Sequence, residues 1–173
     1  MSEQSKKEWL EWIKAIIIAV VLAFILRTFF FATSIVEGAS MDPTLQNGER
    51  VMFNKIAYYL DEPERGDIVI IERPVKSYVK RVIGEPGDTV EIRNHQLFIN
   101  GKKQHQKYLN KQAIQGTRDF GPVKVPKGKY FVMGDNRQIS KDSRNGLGYV
   151  NEEDIIGKTE LIVYPFNEWG VTK

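Results

Sequence analysis

The sequence contains no cysteine and only two histidines among its 173 residues. The absence of cysteine excludes disulfide scaffolds, zinc fingers, iron–sulfur clusters and thiol nucleophiles. A Ser-His-Asp triad would have to use His95 or His105. The net charge of +3 is too small to indicate nucleic-acid binding, and the 42% hydrophobic content is too high for a disordered chain. The length suits one ordinary domain with its own core.

Motifs for cofactors and metals are also missing. The segment Gly146–Gly148 lacks the third glycine of a dinucleotide-binding turn, and 121–129 has the wrong spacing for a phosphate loop. Asp135 and Asp142 do not have the ligand spacing of a calcium loop. We therefore expect no cofactor and no metal ion.

A long apolar run distinguishes the N-terminal part of the chain. Ala15–Leu26 is uninterrupted, and two residues later the run resumes with Phe29–Phe31. Because twelve helical residues rise only about 18 Å, a span of the roughly 30 Å hydrocarbon core must extend to about residue 33. We predict a cytoplasmic tail at 1–13, a transmembrane signal anchor at 14–33 and an extracytoplasmic domain at 34–173.

The residues that flank this run suggest its orientation. Lys6, Lys7 and Lys14 precede the span, which by the positive-inside tendency places the N-terminus in the cytoplasm. A cleavable signal peptide is the alternative, because twelve apolar residues suit an h-region and 32–34 supplies small residues. The extension of the run beyond a normal h-region favours the anchor. On either interpretation the rest of the chain faces an extracytoplasmic compartment.

After the apolar run, the sequence predicts a mainly β domain. Short β-branched and aromatic runs alternate with Gly, Pro and Asn. Asn100-Gly101 is typical of a type I′ hairpin turn. The polar segment 102–122 is expected to be an exposed excursion that carries no chemistry. The predicted strands are Val51–Asn54, Asp67–Glu72, Tyr78–Ile83, Thr89–Arg93, Gln96–Ile99, Lys129–Met133 and Ile156–Tyr164.

Two segments contain a candidate nucleophile and its base. Ser40 lies between flexible Gly38 and rigid Pro43, a context that can hold a hydroxyl on an accessible backbone, although most serines in such turns are only turn residues. In the predicted strand, Lys80 and Arg81 point to opposite faces, and both faces have apolar neighbours. One of the two cations should therefore be withdrawn from water. Arginine keeps its proton, whereas burial can lower the pKa of a lysine by several units.

A neutral lysine amine makes a Ser-Lys dyad possible without histidine, because the amine can accept the proton of a nearby hydroxyl. The simpler alternative is that the stem of Lys80 covers the sheet while its ammonium reaches water. The polar loop, residues 134–144, either satisfies its own hydrogen bonds or orients the amine through a hydroxyl. In that loop, Asp142 and Arg144 could pair with each other or with Arg81.

Four separated segments together resemble the type I signal peptidases, in their short, Gram-positive, Bacillus-like form. The resemblance implies a mainly β, coiled-sheet catalytic domain with one N-terminal transmembrane helix. It also implies that Ser40 is the nucleophile, Lys80 the general base and Ser140 the hydroxyl that positions the amine. Asp142, Arg144 and Asp135 would support them. The segments, in the order of the family, are Gly38–Leu45, Arg65–Val69, Tyr78–Gly84 with Pro86–Asp88, and Gly134–Arg144.

The resemblance further implies the activity, which is cleavage of N-terminal signal peptides from exported preproteins by a membrane-bound serine endopeptidase. Small residues at the first and third positions before the cleaved bond would occupy two shallow apolar pockets beside Ser40. The N–H of Ser40 is the expected donor to the oxyanion. In some Gram-negative relatives a serine hydroxyl two residues before the nucleophile supplies another donor. Gly38 stands at that position here, so its backbone N–H is the second candidate. The implied partners are signal peptides, membrane lipid and the export translocon, without nucleic acid.

Two other functions are compatible with the same residues. A self-cleaving protease of the repressor type shares the Ser-Lys chemistry, but it requires a DNA-binding module where the apolar run lies. A non-catalytic anchored β domain that binds a partner would be indifferent to Ser40 and would not be acylated there.

Overall fold

The computed structural model describes residues 3–172. Residues 1 and 2 of the predicted cytoplasmic tail, and residue 173 of the predicted extracytoplasmic domain, lie outside this range. Helix α1 covers Glu3–Phe29, and the remaining helices are the short α2 (Ala57–Leu60) and α3 (Lys111–Gln115). The mainly β class is confirmed. The strands are β1 Phe31–Ile35, β2 Arg50–Asn54, β3 Ile68–Ile71, β4 Tyr78–Gly84, β5 Thr89–Arg93, β6 Gln96–Ile99, β7 Lys102–Lys103, β8 Phe120–Lys124, β9 Lys129–Met133, β10 Val150–Asn151, β11 Ile155–Tyr164 and β12 Gly170–Val171.

The strands form two antiparallel sheets. In the larger sheet the order is β1-β2-β11-β3-β4-β9-β10, with β12 paired to β11. The smaller sheet has the order β7-β6-β5-β8. Register shifts interrupt β11 and β4, which allows the larger sheet to curl. Strand β4 lies inside this sheet, between β3 and β9.

The apolar core lies on both faces of β4. Ile83 packs with residues of the smaller sheet, such as Val90 and Leu97. Val82 belongs to a separate cluster with Val69 and other buried residues of the larger sheet. Because alternate side chains of β4 enter different clusters, neither face of this strand is left to solvent.

The seven predicted strands all occur, with ends that differ by at most one residue. The predicted turn is confirmed, since Asn100 and Gly101 have positive φ angles of 51° and 75° between β6 and β7. The segment 102–122, predicted to be an exposed excursion that carries no chemistry, contains β7, α3 and the beginning of β8. The prediction is wrong in part, because Leu109 and Thr117 are buried and the Tyr108 ring contacts Arg81. Helix α3 is a single turn, which is too short to show a helical periodicity in the sequence. In β8, Gly121-Pro122 is tolerated because β8 is an edge strand.

Helix α1 and strand β1 occupy the region of the predicted anchor, residues 14–33. The helix ends at Phe29, and Phe31–Thr33 pair with Met52–Asn54 of β2. The large apolar side chains of α1 that the structure describes, including Trp12 and Phe24, are exposed. Within residues 3–172, no helix meets the length and hydropathy expected of a membrane span.

Candidate active site

Strand β4 buries two consecutive cations. Lys80 and Arg81 are each 2% exposed, although we expected only one of them to leave water. The reason is that both faces of β4 are covered by apolar clusters, which the sequence of a single strand does not reveal. Each cation therefore needs either a counter-ion or a lowered pKa.

The loop that contains Ser40 rests on the apolar core. Met41 and Leu45 are fully buried in a cluster with Val36 and residues of β2 and β3. The carbonyl of Ser40 accepts a hydrogen bond of 3.1 Å from the N–H of Asn136. The loop that contains Ser40 is thus fixed to the core on one side and to the polar loop on the other.

The two predicted catalytic side chains are in direct contact. Lys80 Nζ lies 2.7 Å from Ser40 Oγ and donates a hydrogen bond of 2.8 Å to the carbonyl of Val79. The Tyr78 ring centroid lies 5.8 Å from the same nitrogen. These two contacts hold the amine against the serine hydroxyl. The carbonyl of Val79 is an orienting group that sequence analysis missed, because any residue type would supply it.

The surroundings of Lys80 favour the uncharged amine. Burial lowers its pKa to about 8, and the carboxylate of Asp142 opposes this shift while the ammonium of Lys76 adds to it. No carboxylate whose side chain the structure describes lies within ion-pair distance of Lys80. At pH 7 roughly a tenth of the amines are therefore neutral, against about one in 2,500 for an ordinary lysine.

Ser140 belongs to a buried network behind the dyad. Its Oγ accepts a hydrogen bond of 3.2 Å from the N–H of Gly134 and donates to Asp142. We expected this hydroxyl to orient the lysine amine, a role that stays a prediction, since the bonds described for Lys80 run to Ser40 and Val79. The network reaches Ser40 through Gly134. A Cβ there would come within 2.3 Å of both Ser140 Oγ and the Ser40 carbonyl oxygen.

Asp142 and Arg144 form one of two buried ion pairs in the polar loop. Arg144 Nη2 lies 2.8 Å from one carboxylate oxygen of Asp142, and Arg144 Nε donates to the other at 2.9 Å. Burial raises the pKa of Asp142, but hydrogen bonds from Arg144 and from the Gly134 N–H outweigh it and hold the pKa below its usual value. Of the two partners considered for Asp142, the structure selects Arg144.

Arg81 forms the second ion pair, with Asp135. Its Nη2 and Nε donate to the two carboxylate oxygens at 2.8 and 3.1 Å, and the Thr44 hydroxyl donates to the same carboxylate at 2.6 Å. The Tyr108 ring lies 3.9 Å from the guanidinium carbon. Sequence analysis did not identify Thr44 or Tyr108, because both act through contacts between distant segments.

Gly38 has a φ angle of +82°, which suits glycine. Its N–H, our second candidate oxyanion donor, donates to the side-chain oxygen of Asn47 at 2.8 Å. This N–H is therefore already engaged. Within residues 3–172, no acceptor engages the N–H of Ser40.

An open cleft of about 640 Å³ runs past the dyad. It is lined by residues of β1, of the loop that contains Ser40 and of the beginning of β4. A larger cavity of about 1140 Å³, near Thr28 and Lys55, contains neither member of the dyad. In the part of the chain that the structure describes, no group of three His, Asp or Glu side chains could hold a metal ion.

Comparisons with known proteins agree on one family. The profile of the family described as signal peptidase, peptidase S26, matches residues 9–164. Signal peptidase I S of Bacillus subtilis (strain 168) is 56% identical, over 94% of this chain and 93% of that relative. Signal peptidase I of Bacillus licheniformis is 52% identical, over 96% and 95% of the two chains. The crystal structure of a signal peptidase I from Enterococcus faecalis V583 has a TM-score of 0.51 and 36% identity, covering 57% of this chain and 97% of that one. The chain therefore belongs to the signal peptidase I family, the serine endopeptidases of peptidase family S26.

Proposed function

We propose that this enzyme is anchored in the membrane and cleaves signal peptides after small residues, with Ser40 as the nucleophile and Lys80 as the general base. Its family membership implies cleavage of signal peptides from preproteins. The observation that carries the finer proposal is the 2.7 Å contact between Ser40 Oγ and a buried amine of lowered pKa.

The proposed reaction begins with proton transfer from Ser40 to the neutral amine of Lys80. The resulting alkoxide attacks the scissile carbonyl and forms a tetrahedral intermediate. The protonated amine then donates that proton to the leaving amino group. The signal peptide remains bound to Ser40 as an acyl ester. In the second half, Lys80 accepts a proton from water, and the hydroxide attacks the acyl ester. The bond to Ser40 Oγ then breaks, the signal peptide leaves with a free carboxyl group, and Lys80 returns its proton to Ser40 Oγ.

The oxyanion of the intermediate needs preorganised donors. The N–H of Ser40 is our first candidate. The N–H of Gly38 could act only after it leaves Asn47, whose side-chain oxygen accepts it at 2.8 Å. Substrate binding would have to break this bond if Gly38 is the second donor.

Two strand edges border the cleft and support binding of an extended substrate. Strand β1 is the last strand of its sheet, and residues 78–80 of β4 lie beyond the end of its pairing with β9. Free backbone groups on such edges can pair with a peptide. Ile35 and Ala39 add apolar surface to the cleft. We propose that this surface accepts the small side chains before the cleaved bond.

We propose that α1 inserts into the membrane and that the β domain lies on its extracytoplasmic side, where it meets preproteins, membrane lipid and the export translocon. The support is the series of exposed apolar side chains along α1, which would be unfavourable in water. Because the chain has no cysteine, single cysteines at Glu3 and Lys103 can be labelled in intact cells with an impermeant maleimide. We expect labelling at 103 and protection at 3, whereas equal labelling of both would refute this arrangement.

A preprotein cleavage assay tests the catalytic proposal. The Ser40→Ala variant should lose cleavage by at least about 10³-fold, because no other nucleophile replaces the hydroxyl. A serine-directed acylating inhibitor such as a penem should add its mass to Ser40 in the unmodified enzyme. A non-catalytic binding domain would instead not be acylated, and Ser40→Ala would change neither the cleavage assay nor the inhibitor assay.

A further inference from the structure

A second cavity, of about 730 Å³, adjoins the catalytic cleft but contains neither Ser40 nor Lys80. Ile139 lines both spaces and is 62% exposed, so it forms a ridge between them. Three arginines line the second cavity: Arg118, Arg137 and Arg144. We call this space the arginine cavity.

Arg137 is buried in this cavity without a counter-ion. It is 3% exposed, and its Nε and Nη2 donate to the Gly134 carbonyl and the Tyr108 hydroxyl at 3.0 and 3.3 Å. Its Nη1 is buried and has no hydrogen-bond partner within the described residues. Among the side chains that the structure describes, no carboxylate lies at ion-pair distance from Arg137. Burial lowers the pKa of this guanidinium, which marks the surroundings as unfavourable for its charge.

The other charges of the arginine cavity are already matched in part. Arg144 pairs with Asp142. Asp119 also lines the cavity and accepts a hydrogen bond from the N–H of His95 at 3.1 Å. The lining has three guanidinium groups and one carboxylate, that of Asp119. Asp142, which is outside the lining, neutralises Arg144, so one positive charge is left without a partner. The cavity therefore has the charge to accept one anionic group.

We propose that the arginine cavity binds an oxyanion, a carboxylate or a phosphate group, through Arg137, with the exposed Arg118 at its mouth. A guanidinium presents parallel N–H donors that match both kinds of anion. The anion would provide the missing negative charge beside the guanidinium. Nη1 itself is closed to solvent, so contact with it requires the Arg137 side chain to shift towards the cavity. Its source is either a free anion or an acidic side chain of a polypeptide that passes Ile139.

A bound anion would also steady the loop behind the dyad. The Arg137 carbonyl accepts a hydrogen bond of 2.9 Å from Arg144, which holds Asp142. Arg137 Nε meanwhile donates to Gly134, the residue that separates Ser140 from Ser40. Occupancy of the cavity is thus linked to the polar loop by hydrogen bonds on both sides of Arg137.

Isothermal titration of the full chain in detergent tests the proposal without any cleavage step. The probes are inorganic phosphate, a short peptide with one glutamate, and the same peptide with glutamine in its place. Binding of phosphate alone supports the site and identifies a free anion as its source. Glutamyl-peptide binding at least about tenfold tighter than that of the glutamine peptide supports a polypeptide source. If neither anion binds, or if both peptides bind equally without phosphate, the proposal is overturned.

Three variants test whether the anion binds in the arginine cavity. Arg118→Gln should weaken it by about tenfold, because it removes a charged donor at an exposed position where the fold does not depend on it. Arg93→Gln removes the same charge from an exposed arginine outside the cavity and should leave the affinity unchanged. Arg137→Met should abolish binding. If this variant does not fold, the comparison of Arg118→Gln with Arg93→Gln decides, and equal affinities of those two would contradict the proposal.

Discussion

Lys80 and Arg81 are consecutive, equally buried cations that the fold treats in opposite ways. Arg81 has a two-pronged ion pair with Asp135, whereas Lys80 faces a hydroxyl and a carbonyl. The paired guanidinium joins distant segments. The unpaired amine has a pKa lowered to about 8, as the proposed general base requires. Burial alone therefore does not lower the pKa of a cation on β4; the absence of a counter-ion distinguishes Lys80 from Arg81.

The largest expected effect comes from replacing Lys80 with arginine, the residue found at position 81. Lys80→Arg keeps a cation of similar reach but one that does not release its proton near neutral pH. We expect preprotein cleavage to fall by at least about 10³-fold. Lys76→Arg, an exposed neighbour, is the control and should remain active. Substantial cleavage by Lys80→Arg would show that the amine is not the base.

The next effect concerns the paired cation. Asp135→Asn leaves Arg81 buried without its counter-ion and should lower the free energy of unfolding by about 3–5 kcal/mol, measured with denaturant in detergent. Glu91→Gln removes the carboxylate of a more exposed pair, 3.6 Å from Arg93, and should cost less than about 1 kcal/mol. Similar losses in the two variants would mean that the buried pair has no special structural role.

Lys80→Met should have the opposite effect on stability. Methionine keeps the apolar stem but removes the buried ammonium, so the variant should gain up to about 3 kcal/mol at pH 7. The folded state disfavours the charged amine, so the gain in stability depends on pH. The gain is complete below a pH of about 8, shrinks as the pH rises to 10.5, and vanishes above pH 10.5. Denaturant unfolding at several pH values measures it. A destabilised variant, or a gain that grows with pH, would contradict the lowered pKa.

The smallest effect is on the support of Asp135. Thr44→Val removes a hydroxyl that donates to this carboxylate at 2.6 Å and should cost about 1–2 kcal/mol. Thr172→Val removes a hydrogen bond of 2.9 Å to a neutral carbonyl and should cost about 0.5–1 kcal/mol. Thermal unfolding of both variants gives the comparison. A smaller loss for Thr44→Val would indicate that the charge of Asp135 adds nothing to this contact.

Much of the β domain was predictable because strand signals are local. The hairpin at Asn100-Gly101 follows from two residues, and β5 and β6 follow from alternation. The edge strand β1 was hidden because its first residues continue the apolar run of α1, and β8 was hidden by Gly121-Pro122. In both cases the neighbouring strand, and not the local pattern, determines the structure.

The site was predictable to a similar degree. Ser40 and Lys80 were identified as candidates before the fold was known, and the structure places them in contact. The partner of Arg81 was not predictable: the sequence suggested Asp142 for it, whereas the structure pairs it with Asp135, because the pairing depends on how the polar loop folds over β4. The role of Val79 was unpredictable, since a backbone carbonyl carries no sequence signal.

The most direct test is a titration of the Lys80 amine by NMR of the enzyme with isotope-labelled lysine, using Lys80→Arg to assign the signal. We predict a midpoint near pH 8 for this amine, against about 10.4 for an ordinary lysine in water. A Lys80 midpoint near 10.5 would contradict the account, because the amine would then be almost entirely protonated at neutral pH and unable to take the proton of Ser40.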